Sequence, residues 1–182
     1  KLTGIIFDLG SSSSQFNTGH RGFSFQNDAP LDMRFNQESG MTAAEFLQSS
    51  GKEEISEVIE IYGEERYHRK IAHKITQAAD NGNMNTTFDL KLAVSKCVHP
   101  RFLTKSLARV FQAIRIKIND ELESLKEALA NSIEYLEVGG RIAVISFHSI
   151  EDRIVKQFFK QNALICTCPR DFPVCTCNTV PS

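Results

Sequence analysis

Lys1-Leu-Thr-Gly-Ile-Ile-Phe-Asp8-Leu-Gly10-Ser-Ser-Ser-Ser-Gln15 is the stretch on which the fold turns. The apolar run Ile5-Ile6-Phe7 ends on Asp8, and Gly10 with four serines follows at once. A short buried strand that stops at a carboxylate and breaks into a small-residue loop is how open α/β sheets present side chains to a ligand. In such sheets the ligand sits beyond the carboxyl ends of the strands. A parallel sheet does not begin with its ligand-binding middle, yet this strand opens on Lys1 with no earlier strand and no glycine-rich loop. Sequence upstream of Lys1 is therefore expected in the intact protein.

The same rhythm returns near the other end. Arg141-Ile-Ala-Val-Ile-Ser146 reads as a second buried strand, and Glu151 to Gln161 as the helix after it. Between the two strands the pattern is helical. Thr42-Ala-Ala-Glu45 is a capping box opening a short helix, and Ile55, Val58, Ile59 and Tyr62 mark a second that stops at Gly63. Glu64 to Ala79 predicts a third. Thr86 starts a fourth, which ends near Val98 before His99-Pro100. From about Leu103, the residues Leu107, Val110, Phe111, Ile114 and Ile118 mark one longer helix. Leu122, Leu125, Leu129, Ile133 and Leu136 mark another, closed by Gly139-Gly140. The economical account is an α/β domain over 1–25 and 106–182, interrupted by an all-helical insertion over 26–105.

Composition narrows the function classes. A net charge of −1 argues against wholesale electrostatic binding of nucleic acid, so any such contact needs a local basic patch. No apolar run approaches the roughly 20 residues that span a bilayer, so no membrane partner is expected. Cys97 stands alone, while Cys166, Cys168, Cys175 and Cys177 cluster. One terminal cluster in an otherwise enzyme-like chain points to a reducing, cytoplasmic compartment. Four thiolates can hold zinc, but Cys-x-Cys departs from the usual Cys-x-x-Cys knuckle and no histidine lies nearby, so a cysteine-bearing loop without metal is the leading reading.

Each candidate site residue has a plainer alternative. Asp8 either presents a carboxylate to a ligand or caps the next turn, and Gln15 either reaches back over the same loop or sits on the surface. In Arg21-Gly-Phe23-Ser-Phe25 a cation and two aromatics flank a glycine, a composition that stacks a base and holds a phosphate, or that anchors a loop into the core. Asp32 and Arg34 flank Met33 and either meet a ligand or pair with each other. Arg66, His68, Arg69, Lys70, His73 and Lys74 carry the densest positive charge, a candidate RNA-facing surface that Glu64 and Glu65 offset. At the end of the second strand, His148 exchanges protons or donates hydrogen bonds near neutral pH. The helix dipole alone accounts for Glu151 and Asp152 in the first turn, but not for the exposed His-Ser pair before them.

Taken in order, Phe7-Asp8-Leu9-Gly10-x-Ser12-Ser13-x-Gln15, Arg21 to Phe25, Pro30-Leu-Asp-Met-Arg34, Tyr62-Gly-Glu-Glu65, Phe111 to Ile116, and Gly139 through Arg153 resemble the ribosomal RNA small-subunit methyltransferase H family, also called MraW. The likeness covers essentially the whole chain. It implies a partial Rossmann-like class I methyltransferase with an inserted helical domain, moving a methyl from S-adenosylmethionine to the exocyclic N4 of a cytidine in small-subunit ribosomal RNA. Asp8 and Gln15, with Gly10, are then the cofactor-binding residues. Ser12 and Ser13 shape the base pocket, Asp32 and Arg34 contact the base or its phosphate, and His148 orients the nucleotide. Arg21, Phe23, Arg66, Arg69, Lys70 and Lys74 bind RNA, and the partner is the RNA or the assembled small subunit. Ser11 and Ser14 stand where Val and Pro are common in that family. Its glycine-rich cofactor loop and ribose-holding acid are expected before residue 1, and its final strands after the Cys-rich segment. Two rivals remain open: a non-catalytic RNA-binding relic, and an N4-amino methyltransferase acting on DNA or a small molecule.

Overall fold

A computed structural model of the chain describes residues 1–10 and 21–163. These hold two strands and seven helices: β1 Leu2–Asp8, α1 Ala43–Ser49, α2 Lys52–Gly63, α3 His68–Asp80, α4 Thr87–Ser95, α5 Pro100–Asn119, α6 Glu121–Tyr135, β2 Leu136–Ile145 and α7 Ser149–Asn162. They fall into two compact units, Lys1–Gly10 with Leu122–Ser182, and Ser11–Glu121.

In the first unit β1 and β2 pair in parallel, with Ile5 opposite Ile142, Phe7 opposite Val144 and Asp8 opposite Ile145. Successive side chains point to opposite faces of a strand. One face carries Phe7, Leu9 and Val144 against Leu125 and Leu129 of α6 and Val155 and Phe158 of α7. The other face is open: Ile6 is 75% exposed and Ile145 51%. The expectation of two buried strands is thus only half met. Runs apolar on both faces suit a parallel sheet covered on both sides, whereas the described helices cover one. Gly139-Gly140 also differs from expectation. The pair does not close α6, which ends at Tyr135, but lies inside β2 where the register slips between Leu2 and Gly4. Gly139 has φ +85°, and a Cβ on Gly140 would come within 2.9 Å of the Glu137 carbonyl, so the irregularity needs both glycines.

The second unit is helical, with a core that includes Ile55, Ile59, Ile71, Ile75, Leu90, Val94, Val110 and Ile114. The capping box of Thr42 with Glu45 opens α1 as the sequence predicts, and Thr86, expected as a helix start, opens α4 with a second box closed by Asp89. Gly63 does end α2, and a Cβ there would sit 2.7 Å from the Arg109 carbonyl of α5. The third helix starts at His68 rather than Glu64. Glu64 turns left-handed at φ 50°, and the buried Glu65 accepts the Tyr67 N–H at 3.0 Å, with Arg109 3.6 Å away. His99-Pro100 begins α5 instead of merely ending α4. The His99 side chain caps it, and proline suits the first helical position, whose N–H lacks an intrahelical partner anyway.

The long segment from Arg21 to Met41, which runs into the expected all-helical insertion, has no helix or extended strand, yet much of it is anchored in the core. Phe23, Leu31 and Met33 are buried, and Pro30 bridges to Thr86. Thr87 ties the segment down by donating its hydroxyl to the Asn27 carbonyl at 2.7 Å and accepting the Ala29 N–H at 3.1 Å.

Candidate functional site

The carboxyl ends of β1 and β2 lie side by side, so Asp8-Leu9-Gly10 meets Ser146-Phe147-His148. The Leu9 N–H donates to the Ile145 carbonyl at 3.1 Å, carrying the pairing one residue beyond the strands. Gly10 then turns at φ +94°, and its Cα faces the Phe147 ring, which a Cβ would approach to 3.4 Å. Phe147 is 69% exposed, and Asp8 is exposed beside it. A carboxylate, a glycine with open backbone and an exposed aromatic at the carboxyl edge of a parallel sheet make a ligand-type edge, suited to donors such as amino and hydroxyl groups.

His148 is not the exposed residue the sequence suggests, since only 10% of its side chain reaches solvent. It is the N-cap of α7, with Nδ1 accepting the Glu151 N–H at 3.3 Å. That bond puts the neutral ring's proton on Nε2. Nε2 faces Glu151 Oε1 at 3.1 Å, but the two are poorly aligned for a hydrogen bond, so the contact is electrostatic. Glu151 is buried and accepts the Phe147 N–H at 2.9 Å. Burial raises its pKa, but the contacts from His148 and the Phe147 N–H outweigh that and hold the carboxyl below its ordinary range. Dipole preference is therefore too small a role for Glu151: it ties the end of β2 to the start of α7. The spacing from His148 to Glu151, an N-cap and its third helical residue, was the signal available in the sequence.

In the helical unit Asp32 and Arg34 do pair, at 2.6 Å through Nε and 3.0 Å through Nη2, and Nη1 donates to the Gly40 carbonyl at 3.1 Å. Burial pushes the Asp32 carboxyl up, but hydrogen bonds from Arg34 and Gln37 prevail and keep it below the usual carboxylate range. Between them Met33 adopts φ 61°, a left-handed conformation that costs a residue with a Cβ on the order of 1 kcal/mol or more. Asn119 of α5 fixes it, donating to the Met33 carbonyl at 2.8 Å and accepting the Phe35 N–H at 2.6 Å. Nothing in the sequence pattern singled out Asn119. Arg21 donates to the Arg34 and Phe35 carbonyls, while its buried Nε lacks a hydrogen-bond partner. Phe23, expected as a stacking surface, is buried. Its ring stacks on Phe35 at 5.8 Å, so Phe35 is the more exposed ring. Apolar area favours this outcome for a phenylalanine beside a forming core.

Among the basic residues, Arg66, Arg69 and Lys70 are exposed, with Arg66 lying over the Tyr67 ring at 4.8 Å. Lys74 is half-buried, its Nζ held by Gln77 Oε1 at 2.8 Å. Ser12, Ser13, Gln15 and the four clustered cysteines, Cys166, Cys168, Cys175 and Cys177, lie outside the described residues. Among the described residues no group of His, Cys, Asp and Glu is placed to hold a metal.

A parallel strand pair with helices on one face defines an α/β protein. All of residues 1–182 match the model of the MraW methylase family. The chain is 49% identical to ribosomal RNA small subunit methyltransferase H of Syntrophotalea carbinolica, a match that covers 99% of this chain and 58% of that protein. It is 47% identical to the protein of that name from Caldicellulosiruptor saccharolyticus, over 97% of this chain and 58% of the other. The Nitrosococcus oceani protein is 49% identical over 96% and 56%. The chain belongs to the MraW methylase family. It spans a little under three-fifths of the length of these relatives. Among the described residues no helix is long and apolar enough to cross a membrane.

Proposed function

We propose that this chain is the greater part of a Rossmann-like methyltransferase that moves a methyl group from S-adenosylmethionine to the N4 amine of a cytidine in small-subunit, 16S-type ribosomal RNA, in the cytoplasm. The observation that carries the proposal is the shared edge of β1 and β2, where Asp8 and Gly10 meet Phe147 and His148, in a chain of this family. The names of the relatives support the RNA substrate.

The open backbone at Gly10 and the exposed Asp8 carboxylate fit a ligand carrying amino or hydroxyl donors, so Asp8, Gly10 and Gln15 are assigned to holding the methyl donor. When bound, that group supplies an electrophilic methyl on a sulfonium. A cytosine N4 amine is a poor nucleophile because its lone pair is delocalised into the ring. Holding the amine in line with the methyl therefore supplies much of the rate. The N–C bond would form from the amine lone pair as the S–C electron pair returns to sulfur, and the amine proton would pass late to water. The target base must also leave its stack to reach such an edge. Ser12 and Ser13 would shape its pocket, and His148, held by Glu151, would orient the nucleotide. Asp32 and Arg34 would act as a rigid loop element, since most of the guanidinium is committed to Asp32 and Gly40. Arg21, Arg66, Arg69, Lys70 and Lys74 would contact phosphates.

The test is to incubate the full-length protein with labelled S-adenosylmethionine and small ribosomal subunits, then digest the RNA to nucleosides. Label in N4-methylcytidine is expected. Label confined to DNA or free nucleosides in parallel reactions would contradict the assignment.

A further inference from the structure

The helical unit carries a cleft of which these roles use only Lys74. It encloses about 520 Å³ between α3 and α4. Ala78, Leu92 and Ala93 supply its apolar side, and Lys74 of α3 and Lys96 after α4 stand in its walls. Gln77, Asn81 and Asn83 contribute amides. Asp89 also lines it, but one oxygen of that carboxylate is occupied by the Asn85 and Thr86 N–H groups, each at 2.9 Å.

The outward face of α4 continues this chemistry. Phe88, Lys91, Leu92 and Lys96 follow the i, i+3, i+4, i+8 spacing of one helical stripe, opposite the buried Thr87, Leu90 and Val94. Phe88 is 41% and Leu92 55% exposed, and Lys91 Nζ lies 4.8 Å from the Phe88 ring centroid while donating to the Phe25 carbonyl. Exposed apolar groups interleaved with lysines are unsuited to plain solvation and suited to a polyanion with flat apolar bases. From Phe88 to Lys105 the basic residues are Lys91, Lys96, Arg101 and Lys105, against the single acid Asp89. The volume falls within the range of small-ligand sites, whose common lower end is about 300 Å³.

We infer that the α3–α4 cleft receives an unpaired ribonucleotide of the RNA strand, away from the β1–β2 edge in sequence and in role. The base rests on Leu92, Ala78 and Ala93, the amides meet its edge, and Lys74 and Lys96 hold its flanking phosphates. A duplex cannot present a base in this way, because its bases are stacked and paired. The inference rests on the proposal that the protein acts on ribosomal RNA.

The experiment compares the full-length wild type with the double variant Lys74→Gln/Lys96→Gln and with Leu92→Asp, all at exposed or half-exposed positions. Binding is measured across a salt series to oligouridine, to its duplex with oligoadenosine, to protein-free small-subunit RNA and to small subunits, alongside thermal melting. Oligouridine affinity should fall about tenfold or more in each variant, with melting unchanged, and duplex binding should respond less. In the lysine variant the slope of log affinity against log salt should shrink by about 1.4, the single-strand value for two lost phosphate contacts. Equal affinities and slopes in all three proteins would overturn the inference and leave the RNA substrate standing. Loss of small-subunit binding with protein-free RNA binding intact would overturn it in favour of a ribosomal-protein partner. A wild type that binds none of the RNAs would overturn both this inference and the function on which it rests.

Discussion

Two carboxylates, Asp32 and Glu151, each hold a turn of backbone in place, and both have pKa values below the ordinary carboxylate range in the folded chain. For a depressed group the stabilisation is complete above the unfolded pKa of about 4 and is lost as pH falls through the folded value. Denaturant melts taken from pH 7 down to pH 3 should therefore show stability falling on the acid side. The Glu151→Ala variant should show a shallower fall. It should also cost about 1–3 kcal/mol at neutral pH, because the Phe147 N–H and His148 Nε2 would be left buried without an acceptor or counter-charge. His148 separates a structural from a functional role. Asparagine is a good N-cap, so His148→Asn should keep the melting temperature near wild type. If the imidazole orients the nucleotide, methyl transfer by that variant falls at least about tenfold while donor affinity holds. Equal loss of stability and transfer would reduce His148 to a cap.

Elements follow from cues of unequal visibility. The box at Thr42 is a local pattern with one physical solution and is legible in the sequence, whereas at Thr86 the sequence marks the helix start and the structure adds the reciprocal bond from Asp89. Replacing Thr86 with Ala should cost about 1 kcal/mol in a thermal melt, with α4 the element that loosens. Pro100 was ambiguous, because proline both ends one helix and suits the first turn of the next, and only the cap from His99 resolves it. Gly139-Gly140 read as a helix stop because a glycine pair beyond an amphipathic run usually is one. Its service in a bulge depends on the backbone of β1, which local sequence does not encode. Gly63 shows both levels at once. Its position after Tyr62 marks the end of α2, while the approach of the Arg109 carbonyl is tertiary. Gly63→Ala should destabilise by about 1–3 kcal/mol through overpacking, measured by chemical denaturation. The same distinction explains Asn119, which is invisible in sequence because its partners, Met33 and Phe35, lie more than 80 residues away.

Across the whole molecule, a parallel strand pair in one unit and a helical core in the other both follow from hydrophobic periodicity, and the motif order names the family. Charge could suggest the basic stretch around α3, but not that Lys74 and Lys96 share a cleft, since that depends on how α3 and α4 pack. The carboxyl edge of β1 and β2 is the proposed seat of the methyl donor. The most direct measurement is equilibrium binding of S-adenosylmethionine to the full-length wild type and to Asp8→Ala, with melting curves of both. Loss of at least about tenfold in affinity, the scale of one charge-assisted hydrogen bond, is predicted with an unchanged melting temperature, because Asp8 is exposed. Equal affinity in the two proteins would contradict the account and move the donor away from this edge.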